Sequence, residues 1–183
     1  MKKKGKRKEA GKRSLAALVF ALDNEMQGVD LYMELGRKTD NMLAKKLFYT
    51  LAKQEIDHVQ RFSEIHASVT VGKEWGSLSV VKLPSVEKEM KAYFRKARAR
   101  DMKMTGMPLP GYQLAMEMEK TSYTTYETLL NEATTAEEKS FYRQLMLEEN
   151  GHLEALQNVY QYLTAPEDWL QEDESRVWNW MNM

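Results

Sequence analysis

A chain of 183 residues is long enough to form one domain with a sizeable core, and its 43% hydrophobic and 30% charged residues are typical of a globular helical protein. The absence of cysteine excludes disulfides, zinc ribbons, thiol nucleophiles and cysteine-ligated iron centres. It fits a reducing compartment, and we expect a cytoplasmic location. No stretch is apolar over enough residues to predict a membrane-spanning helix.

The balance of 27 basic and 27 acidic residues hides an asymmetry along the chain. Residues 1–13 contain eight Lys or Arg and one Glu, so this segment carries +7 and the remainder carries −7. The pattern favours a disordered, solvated tail. Alternatives are a contact with an acidic surface or nucleic acid, or the start of a signal peptide, although the apolar run that follows is short and continues into a charged helix. We expect neither a membrane nor a nucleic-acid partner.

Two helices are predicted in the first half of the chain. The first covers residues 14–38, with Ser14 as its N-cap, and the second covers residues 42–66. Residues 39–41 form the turn between them, in which Asp40 can cap the second helix. Because this turn is short, the two helices should form an antiparallel hairpin.

Residues 67–110 connect this hairpin to the rest of the chain. The first part of the connection is irregular in pattern, and a short β-prone run at 78–83 is not enough to predict a sheet. A short helix is predicted over residues 86–101, and the glycines and prolines of residues 106–111 end it. A connection of this length can run the full length of a helical bundle.

A second hairpin follows. Its helices are predicted over residues 111–133 and 136–163, and Thr135 with Glu138 forms a capping box at the start of the later one. The chain is therefore predicted to be all-α. It should form a four-helix bundle over residues 14–163, built from two helical hairpins and a long crossover that carries a short extra helix.

Residues 164–183 form a second tail, which contains three tryptophans and five acidic residues. We expect this tail to lay its aromatic rings on the bundle or on a second subunit, because large aromatic side chains gain much from burial. The tryptophans of the tail are Trp169, Trp178 and Trp180.

The two hairpins carry the same polar motif. Glu-x-x-His occurs at Glu55 and His58, and again at Glu149 and His152, with an offset of 94 residues. The two halves align at this offset without a gap. A single motif of this kind would be weak evidence for a metal site, because exposed Glu and His often occur at this spacing by chance. Three further pairs share this offset: Glu25 and Glu119, Tyr32 and Tyr126, and Gln54 and Glu148.

The spacing of the glutamates places them at matching heights. Glu25 and Glu55 each lie 15 residues from the first turn, and Glu119 and Glu149 each lie 15 residues from the second. At 1.5 Å per residue, each pair therefore sits about 22 Å from its turn. The i, i+3 spacing then puts each histidine beside the glutamate of its own motif, on one helix face.

Packing the hairpins together brings four carboxylates and two imidazoles to the middle of the bundle. Buried carboxylates without partners are very costly, and two divalent cations would neutralise four of them. Oxygen and imidazole ligands suit iron, manganese or zinc, and di-iron and di-manganese carboxylate bundles use this ligand set. The alternative is a duplicated bundle with solvated helix-face residues, but Glu25 and Glu119 lie on apolar faces. The predicted metal ligands are Glu25, Glu55, His58, Glu119, Glu149 and His152.

Four further residues are candidates for supporting roles. Gln54 and Glu148 precede the glutamates of the two motifs, and either can bond the free ring nitrogen of a histidine and fix its tautomer. Tyr32 and Tyr126 lie two turns after the single glutamates and can hydrogen-bond a ligand carboxylate, which makes them the catalytic candidates. The alternative for both is an ordinary core tyrosine.

At these residues the chain resembles the rubrerythrin branch of the ferritin-like superfamily. The resemblance rests on the paired Glu-x-x-His motifs, the single glutamates and the tyrosines, and it covers residues 14–66 and 111–163. It implies a ferritin-like four-helix bundle with two iron ions in a non-haem centre, in a protein that is usually dimeric or larger; we expect a homodimer. It also implies reduction of hydrogen peroxide or dioxygen, or oxidation of ferrous iron.

The chain departs from the family pattern in two ways. Rubrerythrins usually carry a rubredoxin domain that supplies electrons, and this chain has no cysteine to form one, so an external electron donor is expected. Rubrerythrins also tend to have a further glutamate one turn after the single glutamate of the third helix. This chain has Ser122 at that place, which favours a more symmetric, ferroxidase-like site.

Our first hypothesis is a diiron oxidoreductase that reduces hydrogen peroxide or dioxygen, with Glu55 and Glu149 bridging the two ions. The alternatives are a ferroxidase linked to iron storage, a diiron hydroxylase with an apolar pocket beside the metals, and a basic-tailed binding protein with a structural metal. The terminal ligands would be Glu25 with His58 at one ion, and Glu119 with His152 at the other.

Overall fold

The structure is a computed structural model that describes residues 2–71, 84–96 and 109–165. Within these ranges the chain forms helices and short connections and no strand, which confirms the predicted all-α class. None of the helices in the described part of the chain is long and apolar enough to cross a membrane. The helices are α1 (Lys2–Lys38), α2 (Met42–Thr70), α3 (Val86–Lys96), α4 (Leu109–Glu132) and α5 (Ala136–Thr164).

The first helix starts earlier than the sequence pattern predicts. α1 begins at Lys2, so the segment predicted as a disordered tail is helical from that residue, and Ser14 lies inside the helix instead of capping it. Lys, Arg and Ala are strong helix formers and no proline interrupts residues 2–14, so the helix continues through Gly5 and Gly11 despite the weak helix propensity of glycine. α2 is also longer than predicted, because it continues past residue 66 to Thr70.

The first turn is capped by Asn41 instead of Asp40. The backbone of Asn41 is extended, with φ −73° and ψ 116°, and its Oδ1 accepts a hydrogen bond from the backbone N–H of Ala44 at 3.0 Å. Because α2 begins at Met42, Asn41 is the residue from which a side chain reaches the unpaired amide of the first turn. Asp40 is exposed one position too early.

The start of α4 also differs from the prediction. The helix begins at Leu109, so Pro110 lies in its first turn, where a missing backbone N–H costs nothing. The predicted capping box at the start of α5 is confirmed. Thr135 Oγ1 accepts from the backbone N–H of Glu138 at 3.1 Å, and Glu138 Oε2 accepts from the backbone N–H of Thr135 at 3.1 Å.

Three predicted features lie outside the described residues. They are the β-prone run at 78–83, the final part of the short crossover helix at 97–101, and the C-terminal tail from residue 166 onward. Between residues 71 and 109, the described residues are 84–96, which are the helix α3 and the two residues before it.

The core consists of two apolar clusters, one at each end of the bundle. The first contains Leu43 and Ala44 from the start of α2, together with Tyr112 from the start of α4. The second contains Leu18 from α1 and Phe141 from the start of α5. The two hairpin turns therefore lie at opposite ends of the bundle, and the middle of all four long helices lies between the clusters.

The crossover helix is fixed to the outside of the bundle. Val86 and Met90 are buried in the first cluster, and Glu89 forms an ion pair with Lys46 at 3.0 Å. Just before α3, the backbone carbonyl of Pro84 accepts a hydrogen bond from Gln54 Nε2 at 2.9 Å. The crossover is thereby tied to α2 at the height of the polar motif.

We predict that Thr135→Ala lowers the free energy of unfolding of the metal-free protein by about 1 kcal/mol, because it removes the side-chain half of the α5 capping box. Urea unfolding followed by circular dichroism measures this change. The control is Thr121→Ala, since Thr121 is exposed within α4 and its hydroxyl bonds the carbonyl of Glu117. An equal loss in both variants would show that the cap contributes nothing.

Candidate metal centre

The six predicted ligands meet in the middle of the bundle, between the two apolar clusters. Each of the four long helices contributes, and every one of the six side chains is at most 2% exposed. The two hairpins bring them together because each glutamate lies the same distance from its turn. The six are Glu25 from α1, Glu55 and His58 from α2, Glu119 from α4, and Glu149 and His152 from α5.

The ligand atoms form two overlapping groups, each with its atoms within 4.8 Å of one another. Position A denotes the group at His58, and position B the group at His152. Glu55 and Glu149 belong to both. The members are Glu25, Glu55, His58 and Glu149 at position A, and Glu55, Glu119, Glu149 and His152 at position B.

At position A the ring nitrogen Nδ1 of His58 faces the carboxylates. It lies 2.9 Å from Glu25 Oε2, 3.1 Å from Glu55 Oε2 and 3.3 Å from Glu149 Oε1. Three acidic side chains from three helices thus surround one imidazole nitrogen. The close approach of so many hydrogen-bond acceptors is unfavourable unless a cation or a proton lies among them.

Position B repeats this arrangement from the other hairpin. His152 Nδ1 lies 3.0 Å from Glu55 Oε1, 3.3 Å from Glu149 Oε2 and 3.5 Å from Glu119 Oε1. The rings of His58 and His152 are nearly parallel, with an interplanar angle of 19° and centroids 5.7 Å apart. Because Glu55 and Glu149 belong to both groups, the two positions lie side by side in the middle of the bundle.

Several atoms of the cluster have no hydrogen-bond partner within the described residues. Burial raises the pKa of Glu25 and that of Glu119 well above the usual range of a carboxyl group. Buried acceptors without donors are costly, and divalent cations would remove that cost at both positions. Oxygen and imidazole donors fit iron, manganese or zinc. The unpaired atoms include Glu25 Oε1, Glu55 Oε1, Glu119 Oε2, Glu149 Oε1 and His152 Nδ1.

The outer nitrogen of His58 is held by a carboxylate. Its Nε2 lies 3.0 Å from Glu148 Oε2, and Glu148 is itself held by Arg61 Nη2 at 2.7 Å and by Gln144 Nε2 at 2.8 Å. Burial alone would raise the pKa of Glu148, but its contacts with His58 and Arg61 lower that pKa to about 2. The ionised carboxylate accepts the proton of Nε2, so in the neutral ring that binds metal the lone pair of Nδ1 points into position A.

The outer nitrogen of His152 is held by an amide. Its Nε2 lies 2.8 Å from Gln54 Oε1, and Gln54 Nε2 donates to the carbonyl of Pro84 at 2.9 Å. That carbonyl can only accept, so it fixes the amide orientation and makes Nε2 of His152 the donor. In the neutral ring, which is the form that binds metal, Nδ1 of His152 is then an acceptor. Its 3.0 Å approach to Glu55 Oε1 joins two acceptors in that form, as expected for two ligands of one cation. Without metal, burial lowers the pKa of His152, but the charges of Glu119 and Glu55 outweigh burial and raise that pKa well above its usual value.

The two tyrosines differ in their surroundings. The hydroxyl of Tyr32 donates a hydrogen bond to Glu119 Oε1, and burial raises the pKa of Tyr32 well above its usual value. Tyr126 is buried beside Phe62, and its ring stacks on Tyr142 with centroids 6.4 Å apart. The hydroxyl of Tyr126 has no hydrogen-bond partner among the described residues. The structure thus brings one of the two tyrosines to a predicted ligand.

Sequence reasoning missed the arginine beside the site. Arg61 is 8% exposed, its Nε lies 2.7 Å from Asp57 Oδ2, and its Nη2 contacts Glu148. The available signal was its spacing, because it follows His58 by three residues on the same helix face. The repeat concealed it, since the matching residue in the second hairpin is Ala155.

A surface cleft of about 670 Å³ lies on the outer side of the histidines, bounded by α2, α5 and the start of α3. Gln54 and His152 form part of its wall, together with Arg61 and Glu148. The residues that line the cleft are mostly polar or charged. The outer hydrogen bonds of the centre therefore border a surface cleft whose lining residues are mainly polar or charged.

We predict that the protein binds two divalent metal ions per chain and that metal raises its unfolding temperature. At a free metal concentration 100 times Kd, the free energy of unfolding should increase by about 2.7 kcal/mol per site. Anaerobic calorimetric titration and thermal unfolding measure both effects. Glu55→Ala/Glu149→Ala should abolish them, and the exposed pair Glu117→Ala/Glu127→Ala should not. Binding that survives in the first variant would contradict the assignment.

The family comparison agrees with this geometry. The family model described as Rubrerythrin matches residues 16–160, a range that contains all six predicted ligands. Neither the comparison with curated proteins nor that with solved structures gives a match. The matched range is well over half of the chain, and it confirms the resemblance seen in the Glu-x-x-His motifs. The chain belongs to the rubrerythrin family.

Proposed function

We propose that this protein is a non-haem diiron oxidoreductase that reduces hydrogen peroxide or dioxygen. The observation that carries the proposal is the pair of overlapping buried positions that share Glu55 and Glu149. Two cations that share two carboxylates lie close enough to act together on one small oxidant. Membership of the rubrerythrin family supports iron as the metal.

When bound, two ferrous ions would supply the two electrons that, with two protons, reduce one hydrogen peroxide to two water molecules, or one dioxygen to hydrogen peroxide. In the proposal, Glu55 and Glu149 hold both ions, and each remaining glutamate holds one. His58 and His152 each present Nδ1 inward, because their outer nitrogens are fixed from behind. The apolar clusters at both ends limit the access of water.

Tyr32 is the side chain best placed to handle a proton at this site. Its hydroxyl donates to Glu119, so its proton is held at the edge of position B. In the proposal, Tyr32 positions Glu119 and keeps this proton, because burial holds the pKa of Tyr32 well above its usual value; the protons that the reduction consumes come from solvent. Tyr126 is assigned a packing role instead, because its hydroxyl has no hydrogen-bond partner among the described residues and its ring packs on Phe62 and Tyr142.

A second candidate is a ferroxidase that handles iron for storage, and one contact favours it. Ser122, at the place where the family pattern has a further glutamate, is 5% exposed and accepts a hydrogen bond from Asn24 Nδ2 at 2.8 Å. No carboxylate is available there to change its ligation when the metal is oxidised. Each ion is then surrounded by the same types of ligand: one glutamate of its own, one histidine and the two shared glutamates. This symmetry suits oxidation of ferrous iron as well as reduction of peroxide.

Two further parts of the proposal concern partners. The chain has no cysteine, so reduction of the centre for a further turnover needs an external electron donor. We also propose a homodimer, on the basis of the family resemblance. The hydroxylase alternative receives no support from the cleft, because a hydroxylase needs an apolar pocket beside the metals and this cleft lies behind the histidines, among residues that are mostly polar or charged.

We expect protein loaded anaerobically with two ferrous ions per chain to be oxidised rapidly in a stopped-flow experiment. Mixing with hydrogen peroxide and, separately, with dioxygen identifies the physiological oxidant as the faster one. Faster oxidation by peroxide supports a peroxidase, and faster oxidation by dioxygen supports a ferroxidase. In the Glu55→Ala/Glu149→Ala variant, both oxidants should react no faster than with free ferrous iron. If both oxidants react no faster than with free ferrous iron, the oxidoreductase proposal fails.

Tyr32→Phe should slow oxidation by about tenfold or more while two ferrous ions still bind, because residues that hydrogen-bond metal ligands are worth about 10–100-fold in activity. Tyr126→Phe is the matched control, since it removes the same hydroxyl from the corresponding position of the other hairpin. Its rate should equal that of the parent protein. Equal slowing in both variants would remove the specific role assigned to Tyr32.

A further inference from the structure

The two halves of the centre are alike in their ligands and different in what holds those ligands. The offset of 94 residues makes each glutamate and histidine of position A the counterpart of one at position B. The two halves differ in the residues that hold the histidines, because the counterpart of Gln54 in the repeat is Glu148. The two halves also differ at the tyrosines. The hydroxyl of Tyr32 donates a hydrogen bond to Glu119, whereas the hydroxyl of Tyr126 forms no hydrogen bond with the described residues.

Position A is backed by negative charge. The outer nitrogen of His58 donates to the carboxylate of Glu148, which Arg61 and Gln144 hold in place. Arg61 also pairs with Asp57, so one guanidinium lies between two carboxylates and the group keeps a net charge of −1. A carboxylate that accepts the outer ring proton raises the basicity of the imidazole and strengthens its inner nitrogen as a metal ligand.

Position B is backed by a neutral group. The outer nitrogen of His152 donates to the amide oxygen of Gln54, and that amide is fixed by the Pro84 carbonyl, which is also uncharged. An amide oxygen accepts a proton less strongly than a carboxylate does. In addition, the hydroxyl of Tyr32 donates a hydrogen bond to Glu119, which is the carboxylate that belongs to position B alone. This bond draws negative charge away from the metal position. Both differences make position B the weaker donor set.

We propose that the two metal positions are unequal, with position A filled first and position B holding the exchangeable ion. The inference rests on the proposed metal centre and adds to it an order of binding and a reason for that order. The residue that sets the order is Glu148, acting through His58, and its counterpart Gln54 acts through His152. A ferroxidase needs an ion that leaves after oxidation, and position B would be the place from which it leaves.

The test uses Co²⁺, which stays divalent under the conditions of titration and gives an anomalous X-ray signal. Calorimetric titration of the metal-free, full-length protein should show two steps whose affinities differ by about tenfold or more. Crystals grown with one equivalent of Co²⁺ per chain should show the stronger anomalous peak at His58. Equal peaks, or a stronger peak at His152, would overturn the proposal even if the iron-loaded protein reacts with oxidants.

The Glu148→Gln variant tests the cause. It replaces the carboxylate behind His58 by the group that stands behind His152, so the first step should weaken by about 10–100-fold and the two peaks should become similar. Gln60→Glu, an exposed change of the opposite sign on α2, should leave both steps as they are. An unchanged order of filling in Glu148→Gln would refute the role of Glu148. If this variant does not fold, the order in which Co²⁺ fills the two positions of the parent protein still shows whether those positions are unequal.

The outcomes separate this inference from the proposed function. Two bound Co²⁺ ions at equal occupancy leave the metal centre standing and remove only the inequality. No bound Co²⁺ at either position removes both. Unequal binding of Co²⁺, together with iron that is not oxidised by peroxide or dioxygen, keeps the inequality and rejects the oxidoreductase.

Discussion

Four carboxylates meet in the middle of the bundle, where almost no water reaches them. Each is at most 2% exposed, and without compensation each would cost several kcal/mol to keep ionised there. The bundle supplies two imidazoles and a geometry in which two divalent cations fit. The apolar clusters on either side of the site supply the packing that keeps the carboxylates together, so the centre and the core cannot be altered independently.

The outer hydrogen bonds cross from one hairpin to the other. Glu148 of the second hairpin holds His58 of the first, and Gln54 of the first hairpin holds His152 of the second. Each metal position also takes carboxylates from both hairpins. Binding of metal is therefore coupled to docking of the hairpins, because neither position is complete within one of them. The crossover joins this network through Pro84, which fixes the amide of Gln54.

The middle of each helix was predictable from sequence, and so was the meeting of the six polar residues, because distance from a turn sets height in an antiparallel pair. Helix ends were harder. α1 extends to Lys2 because residues 2–13 contain many strong helix formers and no proline. The cap of α2 is Asn41 instead of Asp40 because a shift of one residue decides which side chain reaches the first turn. Arg61 escaped prediction because its partner Glu148 is 87 residues away and its role has no copy in the repeat.

The repeat also explains why the inner ligand set stops at six. Gly28 and Ser122 occupy matching places, one turn after the single glutamates. A Cβ atom at Gly28 would lie 3.3 Å from Cγ of Glu55, so even alanine would press on a shared ligand there, and Ser122 is occupied by its bond to Asn24. Neither half has room for a further ligand at these places. A difference between the two ions therefore has to come from the residues that contact the ligands. Those groups lie at the edge of the bundle, where a change of charge alters a ligand without repacking the core.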